Sequence, residues 1–119
     1  MPTTFAYSEI WSDLIHVVDS AYNYPCLIPN WDNTPRNGAN GLVLKDSTPA
    51  LFALQVEKAI MSVRKKAADY RIVFVKSWNE WAEGNHLEPD LRFGRGYLNA
   101  MKKALHIQET KPYALAMSL

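Results

Sequence analysis

Between Trp78 and Asp90 the chain reads Trp-Asn-Glu-Trp-Ala-Glu-Gly-Asn-His-Leu-Glu-Pro-Asp, which sets Glu80, Glu83, Glu88 and Asp90 beside Trp78 and Trp81. A helical turn from Glu80 to Glu83 would bring their Cβ atoms to about 5–6 Å, close to the roughly 5–5.5 Å between the carboxyl groups of retaining glycosidases. Two carboxylates at that range cannot both ionise without cost. One then tends to keep a proton and serve as acid while the other serves as base. Glu80 and Glu83 are therefore the expected catalytic pair. Trp78 and Trp81 either offer flat apolar faces to a sugar or close a core, and Asn79 is grouped with them as a substrate contact. Glu88, just before Pro89, either touches substrate or ends a turn. His86 has no second His or Cys close by in sequence, which makes it a poor metal ligand and leaves a polar contact to substrate or a structural place. A second cluster, Trp31-Asp32-Asn33-Thr34-Pro35-Arg36, joins a ring, a carboxylate, an amide and a guanidinium. Asp32, Asn33 and Arg36 are the types that hydrogen-bond vicinal hydroxyls and Trp31 adds the ring, all four expected to bind substrate, or else Asp32 leads an Asx turn and Arg36 is solvated.

Both clusters need elements to position them. Ser8 to Ala21 has Ile10, Leu14, Val17, Val18 and Ala21 on one helical face, with Ser8 placed to cap it. Tyr22 to Pro29 allows a brief strand punctuated by Pro25 and Pro29. Trp31 to Ser47, rich in Asn and Gly, reads as a long loop. Thr48-Pro49 is a helix start, and Phe52, Val56, Ala59, Ile60, Val63 and Ala67 continue the helix as far as Asp69. Ile72 to Val75 is an unbroken apolar run, expected as a strand buried on both faces. A second loop spans Trp78 to Arg95, and Tyr97, Leu98, Met101, Ala104 and Leu105 mark a last helix. The tail from Gln108 carries little pattern. Both loops follow strand ends, where α/β folds bind ligands. Two strands alone would leave uncovered edges and faces. The expected fold is accordingly α/β, the C-terminal βα units of an incomplete (β/α)8 barrel, with self-association through the exposed sheet edges.

Composition narrows the function. Thirteen basic and 12 acidic residues leave a formal charge of +1, with no basic stripe for nucleic acid or an anionic membrane. The single cysteine, Cys26, excludes an internal disulfide and any multi-cysteine zinc module, and reads as a small hydrophobe on an apolar strand. His16 and His106 fall on predicted helices as solvated groups. No apolar run reaches membrane-spanning length. The first residues carry Glu9 and no basic-apolar leader, so no secretory signal and a cytoplasmic location are expected.

Taken together, Pro29-Asn30-Trp31-Asp32-Asn33-Thr34-Pro35-Arg36, Ser77-Trp78-Asn79-Glu80-Trp81-Ala82-Glu83-Gly84 and Leu87-Glu88-Pro89 resemble the WbsX-type polysaccharide-biosynthesis family, labelled glycosyltransferase. That family is in turn similar to the endo-α-mannosidases of glycoside hydrolase family 99. The resemblance runs from about Tyr24 to Leu105 and implies a (β/α)8 barrel whose site lies at its C-terminal mouth. By position it implies that Glu80 assists deprotonation of the sugar's own 2-hydroxyl, and that Glu83 protonates and then deprotonates at the glycosidic oxygen. Ala82 stands where the mannosidases usually have His, and Asn85-His86 replaces their Thr-Gln. The expected function is a carbohydrate-active enzyme domain acting on glycosidic bonds of a polysaccharide or lipopolysaccharide-type glycan. No metal or cofactor is expected, since glycosyl transfer through carboxylates needs none. The alternative is a non-catalytic carbohydrate-binding or truncated fragment.

Overall fold

The structure is a computed structural model that describes residues 1–15, 22–107 and 114–117. In chain order its elements are β1 (Thr3–Ala6), α1 (Tyr7–Ile10), β2 (Cys26–Leu27), β3 (Trp31–Asp32), α2 (Thr34–Asn37), β4 (Leu42–Lys45), α3 (Pro49–Val63), β5 (Ile72–Val75), β6 (Asn79–Glu80), β7 (Asn85–His86), α4 (Gly96–Ile107) and β8 (Ala114–Met117). The fold is mixed α/β. One sheet runs β2-β5-β8 with both pairings parallel, a second runs β1-β4-β3, and β6 and β7 form an antiparallel hairpin. Helix α3 bridges the connection into β5, and α4 the connection into β8, so the parallel strands follow one another in space as they do in sequence.

Helix α3 begins as the sequence predicts. Thr48 Oγ1 accepts the Leu51 amide at 3.2 Å, and Pro49 occupies the first turn, where an amide would have no helical partner anyway. Its buried stripe of Phe52, Val56, Ala59, Ile60 and Val63 packs on α4, where Tyr97, Met101 and Ala104 are buried, and on Val73 and Val75 of β5. Phe93 and Phe52 meet the Tyr97 ring edge-on at 5.6 and 5.7 Å, geometries favoured by the aromatic quadrupole. Gln55 is the polar exception on this face. Its Oε1 accepts the Ile28 amide at 2.8 Å and its Nε2 donates to the Trp11 carbonyl at 3.1 Å, so a buried side chain ties α3 to the segments on either side of it.

Several expectations are corrected. The helix predicted from Ser8 to Ala21 is the short α1, with Ala6 rather than Ser8 at its N-cap. Beyond Ile10 side chains of α3 compete for the backbone: Gln55 takes the Trp11 carbonyl, and Lys58 Nζ donates to the Ser12 hydroxyl at 2.6 Å and to its carbonyl at 2.7 Å, which it shares with the Ile15 amide. The rest of that prediction, with His16, Val17, Val18 and Ala21, lies outside the described residues. Helix α3 stops at Val63 rather than Asp69, because the buried stripe ends there and Lys65, Ala67, Ala68 and Asp69 are exposed. The loop expected from Trp31 to Ser47 contains β3, α2 and β4. Leu42, Val43 and Leu44 pair in parallel with β1, an N-terminal strand the sequence reading missed, and β3 returns antiparallel on β4. Strand β5 is covered on one face only: Val73 is 1% and Val75 0% exposed, but Phe74 is 43% exposed, with Tyr24 edge-on to its ring. The tail supplies a third parallel strand, β8, in register with β5 from Ile72↔Ala114 to Val75↔Met117.

Gln55→Leu puts an apolar side chain of similar size in its place and leaves the Ile28 amide and the Trp11 carbonyl unpaired. A loss of about 1–3 kcal/mol in unfolding free energy is expected by chemical denaturation. A variant as stable as the parent would remove Gln55 from this bridging role.

Candidate functional site

The polypeptide leaving β5 passes through Lys76, Ser77 and Trp78 into the β6–β7 hairpin, and two side-chain amides bind that hairpin to the segment after β2. Asn30 makes two bonds to a single residue: its Oδ1 accepts the His86 amide at 2.7 Å, and its Nδ2 donates to the His86 carbonyl at 3.2 Å. Asn85, fully buried, donates from Nδ2 to the carbonyls of Asn30 and Lys76, each at 2.8 Å. Its Oδ1 is buried with no hydrogen-bond partner among the described residues. Ser77 donates to the Asn85 carbonyl at 2.7 Å and accepts the Glu80 amide at 3.1 Å. The Trp78 carbonyl accepts the amides of Leu87 at 3.0 Å and Glu88 at 3.1 Å. The two loops thus form one hydrogen-bonded unit at the C-terminal ends of β2 and β5.

Gly84 lets the loops approach this closely. It has φ +56°, and a Cβ there would sit 2.8 Å from both the backbone nitrogen and oxygen of Asp32. It closes a 3-10 turn over Trp81–Glu83 by donating to the Trp81 carbonyl at 2.9 Å. This turn stands in place of the α-helical turn expected from Glu80 to Glu83, with Glu80 at its N-cap and Glu83 inside it.

The carboxylates sit in unlike surroundings. Glu83 receives Arg36 Nη1 on Oε1 at 3.3 Å and Lys76 Nζ near Oε2 at 3.7 Å, and the same ammonium lies 5.4 Å from the centre of the Trp31 ring. Among the described residues no cation pairs with Glu80, which is half-buried at the end of β6. Such partly exposed ion pairs contribute little to stability, so their consequence here is geometric: they bring Arg36, Glu83, Lys76 and Trp31 together. Sequence reasoning did not pick out Lys76. The period of two along β5, which puts Val73 and Val75 on the covered face, puts Phe74 and Lys76 on the opposite one and was the available signal.

The other candidates divide into local and shared roles. Asp32 Oδ1 accepts from Thr34 N at 2.9 Å and Thr34 Oγ1 at 2.6 Å, an Asx turn that starts α2. Asn33 Oδ1 accepts the Leu42 amide at 2.6 Å and closes the β3–β4 connection. Trp78 is partly buried against the hydrophobic core, while Asn79 is exposed. Trp81 stacks on His86 with centroids 3.7 Å apart and planes 13° off parallel, and its Nε1 donates to Glu88 Oε1 at 3.0 Å. A cleft of about 460 Å³ opens between the loops, with Trp31, Asp32, Trp81, His86, Arg92 and Tyr97 among its walls. That volume is within the range of about 300–1,000 Å³ usual for small-molecule sites. Arg36, Glu80 and Glu83 are not among its lining residues. At its inner end the Tyr97 hydroxyl lies 2.8 Å from Ser47 Oγ, which donates to the Pro29 carbonyl, and burial pushes the Tyr97 pKa up. The half-buried Cys26 thiol is likewise pushed up by burial, away from nucleophilic character. Among the described residues, no group of three or more His, Cys, Asp or Glu is placed to hold a metal ion, and no helix is long and apolar enough to cross a membrane.

Comparison with known proteins gives two findings. The family described as glycosyltransferase WbsX matches residues 1–101. Two curated relatives, each named uncharacterized protein WxcX, from Xanthomonas campestris pv. campestris strains B100 and ATCC 33913, are 37% identical to the chain over 83 residues. The matched segment covers 69% of this chain and 12% of each relative, so the chain spans a small part of their length. No solved structure matches.

Gly84→Ala should strain the left-handed turn by about 1–2 kcal/mol and press a methyl group into the Asp32 backbone. The expected outcome is a lowered Tm together with chemical-shift changes at Asp32 and Glu83. A variant with parent stability and unshifted Asp32 signals would contradict the close approach.

Proposed function

This chain belongs to the glycosyltransferase WbsX family, and from that membership we propose that it forms the catalytic mouth of an enzyme making or breaking glycosidic bonds in a bacterial polysaccharide. The observation that carries this reading is the convergence of Arg36 from one loop and Lys76 from the end of β5 on Glu83 of the other loop, next to Trp31. Carboxylates and cations beside aromatic faces are what a sugar site needs: groups to move a proton, groups to hydrogen-bond hydroxyls, and flat apolar surface for a pyranose ring.

In this proposal Glu80 and Glu83 form the acid/base pair. Arg36 and Lys76 flank Glu83, while among the described residues no cation pairs with Glu80. The likeness to the family 99 mannosidases orders the roles: Glu80 takes the proton of the sugar's 2-hydroxyl, and Glu83 gives a proton to the departing glycosidic oxygen and later recovers one. Trp31 and Trp81 border the cleft where neighbouring sugar units would lie. Asp32 and Asn33 hold the loop in shape through their side-chain bonds to Thr34 and Leu42. The parallel order β2-β5-β8, with α3 and α4 in the connections, is also what consecutive strands of a (β/α)8 barrel would supply. In such a barrel, strands from the rest of a longer protein would cover Phe74.

The test is made in a full-length protein carrying this segment. Glu80→Gln and Glu83→Gln keep shape but cannot exchange a proton. Each should lower kcat by about 10²- to 10⁴-fold, with glycan affinity nearly unchanged. Product analysis then separates release to water from transfer to an acceptor sugar. If both variants turn over at the parent rate, the carboxylate assignment is wrong. A non-catalytic binding module would show glycan binding with no turnover to lose.

A further inference from the structure

Trp81 is 47% exposed, on a 3-10 turn, yet its ring is held on two sides. One face is covered by the His86 imidazole at 3.7 Å, and the indole N–H is fixed by Glu88 Oε1 at 3.0 Å. His86 is itself anchored. Asn30 bonds both its amide and its carbonyl, and its Nδ1 lies 3.3 Å from the Glu88 carbonyl. Glu88 thus contacts both members of the stack, with its carboxylate on the tryptophan and its carbonyl on the histidine. It is held in turn by its amide bond to the Trp78 carbonyl at 3.1 Å, and by Pro89, which restricts the preceding residue to extended conformations.

We propose that Glu88 is a positioning residue that fixes Trp81 as a rigid plate whose outer face receives a sugar ring. The inference rests on the reading of this site as a glycan site and adds which groups aim the plate. With His86 on one face and Glu88 on the indole edge, the face opposite His86 is the one left to a ligand among the described contacts. An indole without these restraints would sample several rotamers at the turn and lose that freedom on binding. Glu88 and His86 remove this cost before the ligand arrives. A carboxylate acceptor makes the indole bond stronger than a neutral one would. Glu88 acts through Trp81 and has no part in proton transfer.

The experiment uses Glu88→Ala, Glu88→Gln, Trp81→Phe and the Glu88→Ala/Trp81→Phe double variant in a full-length protein carrying this segment. Acrylamide quenching of tryptophan emission is read without ligand, and binding of an α-mannan oligosaccharide with it. Glu88→Ala should raise the quenching constant and lower emission anisotropy, and the change should vanish in the Trp81→Phe background. Glu88→Gln, which keeps an oxygen acceptor, should restore parent values. The oligosaccharide Kd, and KM where turnover is measured, should rise about 2- to 10-fold in Glu88→Ala with kcat unchanged. Unchanged quenching in Glu88→Ala, or a change that persists in the double variant, overturns the inference whatever the oligosaccharide does. A fall in kcat at constant KM overturns it by making Glu88 a catalytic group. If quenching follows the expected pattern but the oligosaccharide does not bind the parent, Glu88 still fixes the plate, and what fails is the choice of sugar in the glycan reading.

Discussion

The site depends on a pair of asparagines, Asn85 buried and Asn30 half-buried, more than on any charge. Asn30 uses its side-chain amide as a short piece of β-ladder, giving and accepting one bond with the backbone of His86. Asn85 spans the gap in the other direction, to the carbonyls of Asn30 and of Lys76 at the end of β5. Losing these bonds would leave backbone amides and carbonyls between the loops unpaired, so once the chain is folded they specify one arrangement of the loops. The approach of Gly84 to Asp32, the meeting of Arg36 with Glu83, and the seat of the Trp81–His86 stack all follow from that arrangement.

Stability and the proposed site are drawn from different parts of the molecule. The apolar stripes of α3 and α4 bury against Val73 and Val75, and Gln55 adds a polar tie within that core. The ion pairs at Glu83 are too exposed to hold the fold. Rigidity is supplied beneath them by the asparagine bonds, which is what the proposed chemistry would need. The same sheet that is sealed by helices on one side leaves Phe74 open on the other, the side on which the period of two places Lys76.

The elements with strong local signals were legible in the sequence. Thr48-Pro49 and the 3.6-residue stripe located α3, and Tyr97, Met101 and Ala104 located α4. The two loops were read as the places where chemistry would gather, and the structure brings them together. What was not legible depended on contacts distant in sequence. Nothing local marks Thr3–Ala6 as a strand until β4 lies beside it, and the apolar run at Leu42 was masked by the Asn and Gly around it. The α1 prediction ran too long because the competing donors, Gln55 and Lys58, come from another helix. Residue type left Asp32 between a sugar contact and an Asx turn; its Oδ1 makes the turn, and Asn33 Oδ1 takes the Leu42 amide. Asn30 and Asn85 were passed over because an amide carries no signal of its own until its partners are known.

The most direct measurement of the loop clasp is amide hydrogen exchange at His86, compared between the parent and Asn30→Ala. The amide is bonded to the Asn30 side chain rather than to a ladder partner, so the account predicts slow exchange in the parent, comparable to β5, and fast exchange in the variant, while the amides within α3 keep their protection. A His86 amide that exchanges rapidly in the parent, or that stays protected without the Asn30 side chain, would contradict the claim that this asparagine holds the two loops as one unit.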